Sequence, residues 1–319
     1  MIEVIRCGPL STVQDLGRFG HRHLGVAQSG ALDPIAVQQG NLLLGNEANA
    51  AVLEISVGPL QLQFHQSCRI VLMGVDFDSV LTSEGDSNRE QTVQAGHPVE
   101  VSAGMLLHLR KPAIAGARAY LIVSGGIDVP LVLGSRSTDL AAGFGGLHGR
   151  PLQAGDSLSI GRFCKPPQHR PYGVRSLAPS HVLRALPGPD YEAFTPQAHQ
   201  QFWMQPWRIS HQSNRMGLRL NGSPLSLQGP LSLLSAGVLP GDVQVPSNGL
   251  PIVLANDAQT IGGYPRIATV IQADLWQLAH MPPLTSVYFQ AVTHSVALAA
   301  REKQKHYFTR LQDSLARAT

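Results

Sequence analysis

Apolar residues recur at every second position through much of the chain. Leu53, Ile55 and Val57 alternate with their neighbours, as do Leu60, Leu62 and Phe64, and a short apolar run covers Ile70 to Met73. A period of two predicts strands. Further strand-like pieces fall at His97 to Val101, Met105 to Leu109, Tyr120 to Val123 and Leu158 to Ile160, punctuated by Gly and Pro. The second half continues in the same style at Val182 to Leu186, Leu218 to Leu220, Val243 to Val245, Ile252 to Ala255, Ile267 to Ile271 and Val287 to Phe289. Evenly spaced short strands with turn signals between them predict a closed barrel or a sandwich, because closure removes exposed edges.

Helices are few in this pattern. Asp33 is placed to cap one, Pro34 suits its first position, and Gly45 stands where a left-handed stop is wanted; Ile35, Val37, Leu42 and Leu43 supply its buried side. Thr195 and Pro196 open a second, running through Phe202, after which Trp203 and Trp207 flank Pro206 as packing anchors. From about Ser295 to Ala318 the chain is rich in Ala, Lys, Arg, Gln and Glu, with Leu298, Phe308, Leu311 and Leu315 as contacts of a terminal docking helix. Between the two halves, CKPPQHRPYGVRSLAPS (Cys164 to Ser180) holds four prolines and almost no apolar periodicity. The pattern therefore predicts an N-terminal domain over 1–165, a linker over 166–180, and a C-terminal domain with a terminal helix over 181–319.

Composition narrows the classes. Charged residues make up only 14% of the 319 residues, against about 25% in ordinary domains, so disorder driven by charge is excluded. A net charge of +3 is too small for a nucleic-acid footprint. No run of about 18 apolar residues occurs, so no membrane span is expected. Cys7, Cys68 and Cys164 are odd in number, far apart and without a CxxC pair, which speaks against a disulfide framework or zinc knuckle and fits a reducing cytoplasm. The start, MIEVIRCGPL, has no basic, apolar leader pattern.

Two stretches concentrate polar and glycine residues beyond what turns require. The first, Thr12 to Asp33, gathers Gln14, Asp15, Arg18, Ser29 and Asp33 among glycines at 17, 20, 25 and 30, whose backbone N–H groups could approach an anion. The plainer alternative is a loop ion pair of Asp15 with Arg18, a helix cap at Asp33, and glycines serving turns. The second stretch, Gly241 to Asp274, is joined by Asn214, Arg215 and Arg219 upstream. In it Gln244, Asp257, Gln259 and Thr260 precede Gly262, Gly263, Tyr264 and Arg266 at a strand end opening into a glycine turn. Such ends often carry sites, and an arginine there can hold a carboxylate or phosphate through paired hydrogen bonds. Against this stands an Asx-turn at Asp257 and amides that merely satisfy backbone.

Other signals fall short. There is neither GxxxxGK[ST] nor GxSxG. Gly143, Gly145, Gly146 and Gly149 miss the dinucleotide spacing at His148, and a surface hairpin is the better reading. His21 and His23 would share a face on a strand, but lack a third ligand at suggestive spacing, so no metal is expected.

Five ordered segments, TVQDLGRFGHRHLGVAQSGALD, AVQQGNLLLGN, SGGIDVPLVLGSRSTD, SNRMGLRLNG and GDVQVPSNGLPIVLANDAQTIGGYPRIATVI, resemble the biotin-dependent carboxyltransferase / allophanate hydrolase subunit 2 family. Within that family they look most like the C-type subunits of bacterial ATP-dependent 5-oxoprolinases. The resemblance runs from roughly Val13 to Pro282. It implies a mainly β fold of two linked cyclophilin-like β-barrels, and two partners: a smaller, B-type subunit of related barrel fold, together with an A-type hydrolase subunit. The implied reaction is 5-oxo-L-proline plus ATP and water giving L-glutamate, ADP and phosphate. ATP, with or without Mg, is shared with a partner, and no biotin is attached here, since no AMKM-like motif is present.

For such a pocket, Arg18, Arg215 or Arg219 and the amides of Gln14, Gln244 and Gln259 suit the substrate carboxylate and lactam, with Asp257 or Asp15 accepting the lactam N–H. The resemblance thus implies Asp257, Asp15 and Gln259 as catalytic. It implies Gln14, Arg18, Ser29, Asn214, Arg215, Arg219, Gln244, Thr260, Tyr264 and Arg266 as substrate-binding. The chain departs from the family pattern at Ala236, where an acid is usual, at Arg266, where the GGYPK form has lysine, and at His280 to Leu284. Two alternatives stay open: a carboxyltransferase-type subunit of urea or allophanate metabolism, and a non-catalytic regulator that binds a small histidine-kinase-inhibitor partner.

Overall fold

The structure, a computed structural model, describes residues 1–56, 58–83, 86–114, 117–162 and 173–317. It divides into two compact units. The first comprises Met1–Arg18, Ser29–Ala178 and Phe308–Thr319; the second comprises Phe19–Gln28 and Pro179–Tyr307. The chain passes between units inside the expected linker, whose residues 166–172, like Cys164, lie outside the described residues. Two segments differ from the expected boundaries. Residues 19–28 group with the second unit because Arg22 bonds to Val238 and Gln259, and the end of the terminal helix groups with the first because Leu315 packs there.

In the first unit the strands are β1 (Ile2–Arg6), β2 (Thr12–Gln14), β3 (Val52–Ile55), β4 (Leu60–Phe64), β5 (Cys68–Gly74) and β6 (Phe77–Ser83). They continue as β7 (Asp86–Thr92), β8 (Val99–Val101), β9 (Met105–Pro112), β10 (Ala119–Val123), β11 (Ile127–Asp128) and β12 (Ser157–Ile160). They form a seven-stranded sheet, ordered β11-β12-β1-β4-β9-β6-β7, and a five-stranded sheet, ordered β2-β3-β10-β5-β8. Alternate residues of both, such as Leu62 and Leu107 from one and Leu53, Leu72 and Leu121 from the other, close one core, as period two requires. Alternation in the sequence does not announce β1, β2 or the β6–β7 pair.

Helix α1 (Pro34–Leu44) lies on the second sheet. Asp33 Oδ1 accepts from the N–H groups of Ile35 and Ala36, both at 2.9 Å, and Gly45 ends the helix at φ 71°. Leu42 is only half-buried; Leu44 takes its place in a cluster with Val37, Val71, Met73, Tyr120 and Ile122. Gly40 sets the approach, since a Cβ there would stand 2.7 Å from Ile122 Cδ1.

The second unit is a closed barrel. Its strands are β13 (Val182–Pro187), β14 (Trp207–Ile209), β15 (Gly217–Asn221), β17 (Asp242–Gln244), β18 (Ile252–Leu254), β20 (Arg266–Val270) and β21 (Ser286–Ala291). Their order is β13-β20-β17-β18-β15-β14-β21, and a parallel β13–β21 pair completes the ring. A separate two-stranded ribbon pairs β16 (Ala236–Gly237) with β19 (Ile261–Gly262). Helix α2 (Pro196–Met204) is capped by Thr195, whose Oγ1 accepts from Ala198 N at 3.1 Å. Phe202 on α2 stacks on Phe289 at 4.5 Å, and Trp207 beside it is fully buried. Helix α3 (His294–Arg317) has no fully buried residue; of its expected contacts Leu315 packs against the α1 cluster, whereas Leu298 is exposed.

The mainly β class, the few short helices and the C-terminal helix are as the sequence predicts. Replacing Thr195 by Ala should lower stability by about 1 kcal/mol, and Asp33→Ala, which frees two N–H groups, by up to about 2 kcal/mol. Urea unfolding of the two variants checks this.

Candidate functional site

The first polar stretch folds into a buried network in the first unit. Asp15 Oδ1 accepts from Gly17 N at 2.8 Å and from Ser135 Oγ at 2.7 Å, and also from the Ser137 hydroxyl. Its Oδ2 accepts from Arg136 N at 2.7 Å. Gln14 gives its amide hydrogens to Thr12 Oγ1 and the Thr138 carbonyl, and its Oε1 accepts from Gly30 N at 3.1 Å. Arg18 donates to the carbonyls of Val132 and Ser137 and lies over the Phe144 ring, 4.6 Å from its centre. Nominated from sequence as ligand groups, Gln14, Asp15 and Arg18 thus pin the loop 132–138 to β2. Gly145 is obligatory here, because a Cβ would fall 2.2 Å from the Ser137 carbonyl oxygen. That glycine-rich stretch, expected as a surface hairpin, is a run of turns next to an isolated Asp139–Phe144 bridge, with the Phe144 ring against Arg18. Ser29 sits at φ 54°, buried, with no hydrogen-bond partner for its hydroxyl among the described residues.

The second stretch sorts into three groups in the second unit. Arg215 and Asp257, 7% and 4% exposed, form a bidentate pair, Nε to Oδ2 at 2.8 Å and Nη2 to Oδ1 at 2.9 Å. Both Asp257 oxygens therefore already take a guanidinium hydrogen, which ties the loop before β15 to the end of β18. Asn214 makes an Asx-turn, its Oδ1 accepting from Met216 N at 2.8 Å, and Arg219 is exposed on β15. Arg266 reaches Asp190 Oδ2 with Nε at 3.3 Å and the Gly237 carbonyl with Nη1 at 3.2 Å, opposite Gln244 in strand register.

The third group is the candidate site. Gln244 is 2% exposed at the end of β17. Its Oε1 accepts from Gln259 Nε2 at 3.3 Å, and its own Nε2 has no partner among the described residues. Gly262 on β19 makes room for that nitrogen, since a Cβ would lie 2.5 Å from it. Thr260 is half-buried and holds Val238 N with its carbonyl; Tyr264 is 51% exposed at the edge.

Arg22, which sequence reasoning missed, completes the group. It sits in the 3₁₀ turn Arg22–Leu24, and its Nη2 donates to the carbonyls of Val238 at 2.7 Å and Gln259 at 3.1 Å. Nη1 is buried without a partner among the described residues. Burial pushes its pKa down, and the nearby Asp242 carboxylate opposes that. The signal present in sequence was an arginine among glycines; that this loop belongs with residues over 200 positions later was not legible.

The two described cysteines, Cys7 and Cys68, behave as the expected fillers. Cys68 is buried and its thiol is pushed up to about 12, while Cys7 donates to the Leu152 carbonyl. His21 precedes and His23 lies within a 3₁₀ turn instead of a strand, and among the described residues no group of three His, Cys, Asp or Glu could hold a metal. A cavity of about 500 Å³ opens in the first unit beside Asn46, Glu47, Asn49, Asp128, Arg136 and Arg162, and none of the residues nominated from sequence lines it. Among the described residues no helix is long and apolar enough to cross a membrane.

The model of the carboxyltransferase domain, subdomains A and B, matches residues 24–291. A 5-oxoprolinase subunit of Escherichia coli K12, the one lettered C, is 47% identical over 98% of this chain and 97% of its own length. Its namesake from Haemophilus influenzae is 38% identical over 98% of both. Among solved structures, the Kluyveromyces lactis urea amidolyase matches with a TM-score of 0.87 at 27% identity. That match covers 97% of this chain, which spans only 20% of the amidolyase.

Removing one partner of the Arg215–Asp257 pair leaves a buried charge uncompensated, so Asp257→Ala should destabilise by about 3–5 kcal/mol, and pairing Asp257→Leu with Arg215→Met should recover most of that. Denaturant unfolding of the single and double variants measures both. A thiol-reactive dye at pH 8 should leave Cys68 unmodified in the folded chain and label it after denaturation; mass spectrometry of the labelled peptides reads the result.

Proposed function

Because the chain belongs to the carboxyltransferase domain, subdomain A and B family, we propose that it is a subunit of an ATP-dependent 5-oxoprolinase that converts 5-oxo-L-proline to L-glutamate. The observation that carries this reading is the 47% identity to a relative of that name, over nearly the full length of both chains. The partners are a smaller subunit of related barrel fold and a hydrolase subunit, by analogy with the lettered names of the relatives, which imply companion chains.

The chemistry calls for an activating step. A lactam carbonyl is a poor electrophile until its oxygen is phosphorylated; ATP supplies the phosphoryl group, one water adds at the activated carbon and the C–N bond opens with the amine leaving, and a second water hydrolyses the resulting acyl phosphate to the carboxylate and phosphate. In this reading ATP is shared with a partner subunit. The task left to these residues is to seat and orient the cyclic amide. Gln14, Arg18, Arg215 and the two carboxylates Asp15 and Asp257 hold the chain's own groups, which favours positioning roles for them over contact with substrate. Gln244, with an open donor, and the neighbouring Gln259, Thr260 and Tyr264 are the groups suited to meet the ligand.

A second reading, a carboxyltransferase-type subunit of urea metabolism, draws on the fold match to the amidolyase. Its mark is substrate-dependent decarboxylation of carboxybiotin. For the first reading, the chain is assembled with its small and hydrolase partners and ADP release is followed. 5-oxo-L-proline should stimulate it; no stimulation with all three subunits present overturns the proposal.

A further inference from the structure

We propose that Arg22 Nη1 and Gln244 Nε2 form a single anion clamp that seats the carboxylate of the substrate, so that the chain selects a cyclic amide carrying a carboxylate over the bare ring. This rests on the reading above for the identity of the ring, and on geometry for the rest.

Both donors are tied to the same two segments, around Val238 and Gln259. Arg22 hangs by Nη2 from the carbonyls of Val238 and Gln259, and the Gln259 side chain in turn holds Gln244 Oε1. A Cβ at Gly262 would meet Gln244 Nε2 at 2.5 Å and Val238 Cγ1 at 3.4 Å, which places Val238 and the Gln244 amide side by side. The two open donors differ in kind: one is a guanidinium N–H, the other a neutral amide. Each is buried without an acceptor among the described residues, a costly state that an acceptor relieves.

The ligand must bring two acceptors and a negative charge. No described carboxylate pairs with Arg22. Asp242, the nearest acid in effect, has its oxygens engaged by Leu239 N at 2.9 Å and the Thr269 hydroxyl at 2.8 Å. A carboxylate supplies one oxygen to each donor and balances the guanidinium, whereas a single neutral carbonyl answers only one of them. Beside the clamp, Ile261 and Tyr264, 61% and 51% exposed, flank the Gly262–Gly263 turn and offer apolar surface to a small ring.

A nucleotide phosphate shares this anionic chemistry, and the test separates the two. In the assembled complex, Arg22→Gln should raise KM for 5-oxo-L-proline about 30-fold with kcat nearly unchanged, the size of one charge-assisted hydrogen bond. Gln244→Glu, equal in shape but repelling an anion, should do the same while leaving KM for ATP unmoved. In the full-length wild-type chain, the Gln244 side-chain amide should shift in ¹⁵N–¹H spectra on adding 5-oxo-L-proline or acetate and stay put with 2-pyrrolidinone. The proposal falls if both variants keep the wild-type KM, if 2-pyrrolidinone shifts that amide as 5-oxo-L-proline does, or if only ATP moves it. Because the spectral arm needs no turnover, an inactive wild-type complex would defeat the functional reading while the clamp is still decided by acetate.

Discussion

Gln244 can keep a buried donor open only because residue 262 has no side chain. Any Cβ there would press on the amide nitrogen at 2.5 Å, forcing either the amide or the β16–β19 ribbon to move. The same glycine lets the ribbon lie close enough for Gln259 to hold the other end of the amide and for Val238 and Gln259 to offer their carbonyls to Arg22. Arg22, Gln259 and the ribbon are thus all positioned by one close approach, and the site's donor pattern follows from it.

Around this point the molecule is economical with charge. With 14% charged residues, buried ionic and polar groups serve mainly to hold loops on the two β cores. Asp15 gathers two serine hydroxyls and two backbone N–H groups from segments about 120 residues apart in sequence, and the Arg215–Asp257 pair ties two strand-end loops of the barrel. A carboxylate so fully engaged gains little from reaching out to a ligand, because each hydrogen bond exchanged for a new one must be replaced in a buried setting. That is why a density of polar residues in the sequence does not by itself distinguish a group that holds loops from one that meets a ligand.

What was legible followed from local chemistry. The caps at Asp33 and Thr195, the stop at Gly45 and most strands were written in residues a few positions apart. The β6–β7 pair was not, because polar residues in both FDSVLTS and DSNREQT blur the alternation. The opening strand β1 was hidden similarly, its second half being exposed. Arg22 was out of reach for a different reason: its partners lie more than 200 residues onward, and no period or spacing announces that a ten-residue glycine-rich loop leaves one unit for the other.

That detour bears on how the fold could hold different chemistries. The barrel's own strands supply Gln244, Gln259 stands on the loop after β18, and the charge comes from Arg22 on an inserted loop, Phe19–Gln28, outside the barrel's contiguous chain. A loop joined at both ends to the other unit can change sequence without disturbing a single barrel strand, since it attaches through hydrogen bonds to two backbone carbonyls. Because the bonds to those carbonyls come from Nη2 of Arg22 itself, the group that holds the loop and the open donor Nη1 are two nitrogens of one guanidinium. On the proposal that this clamp seats the substrate, selection among small amides then rests on Arg22 from the inserted loop and on the glycine-gated amide of Gln244 beside it.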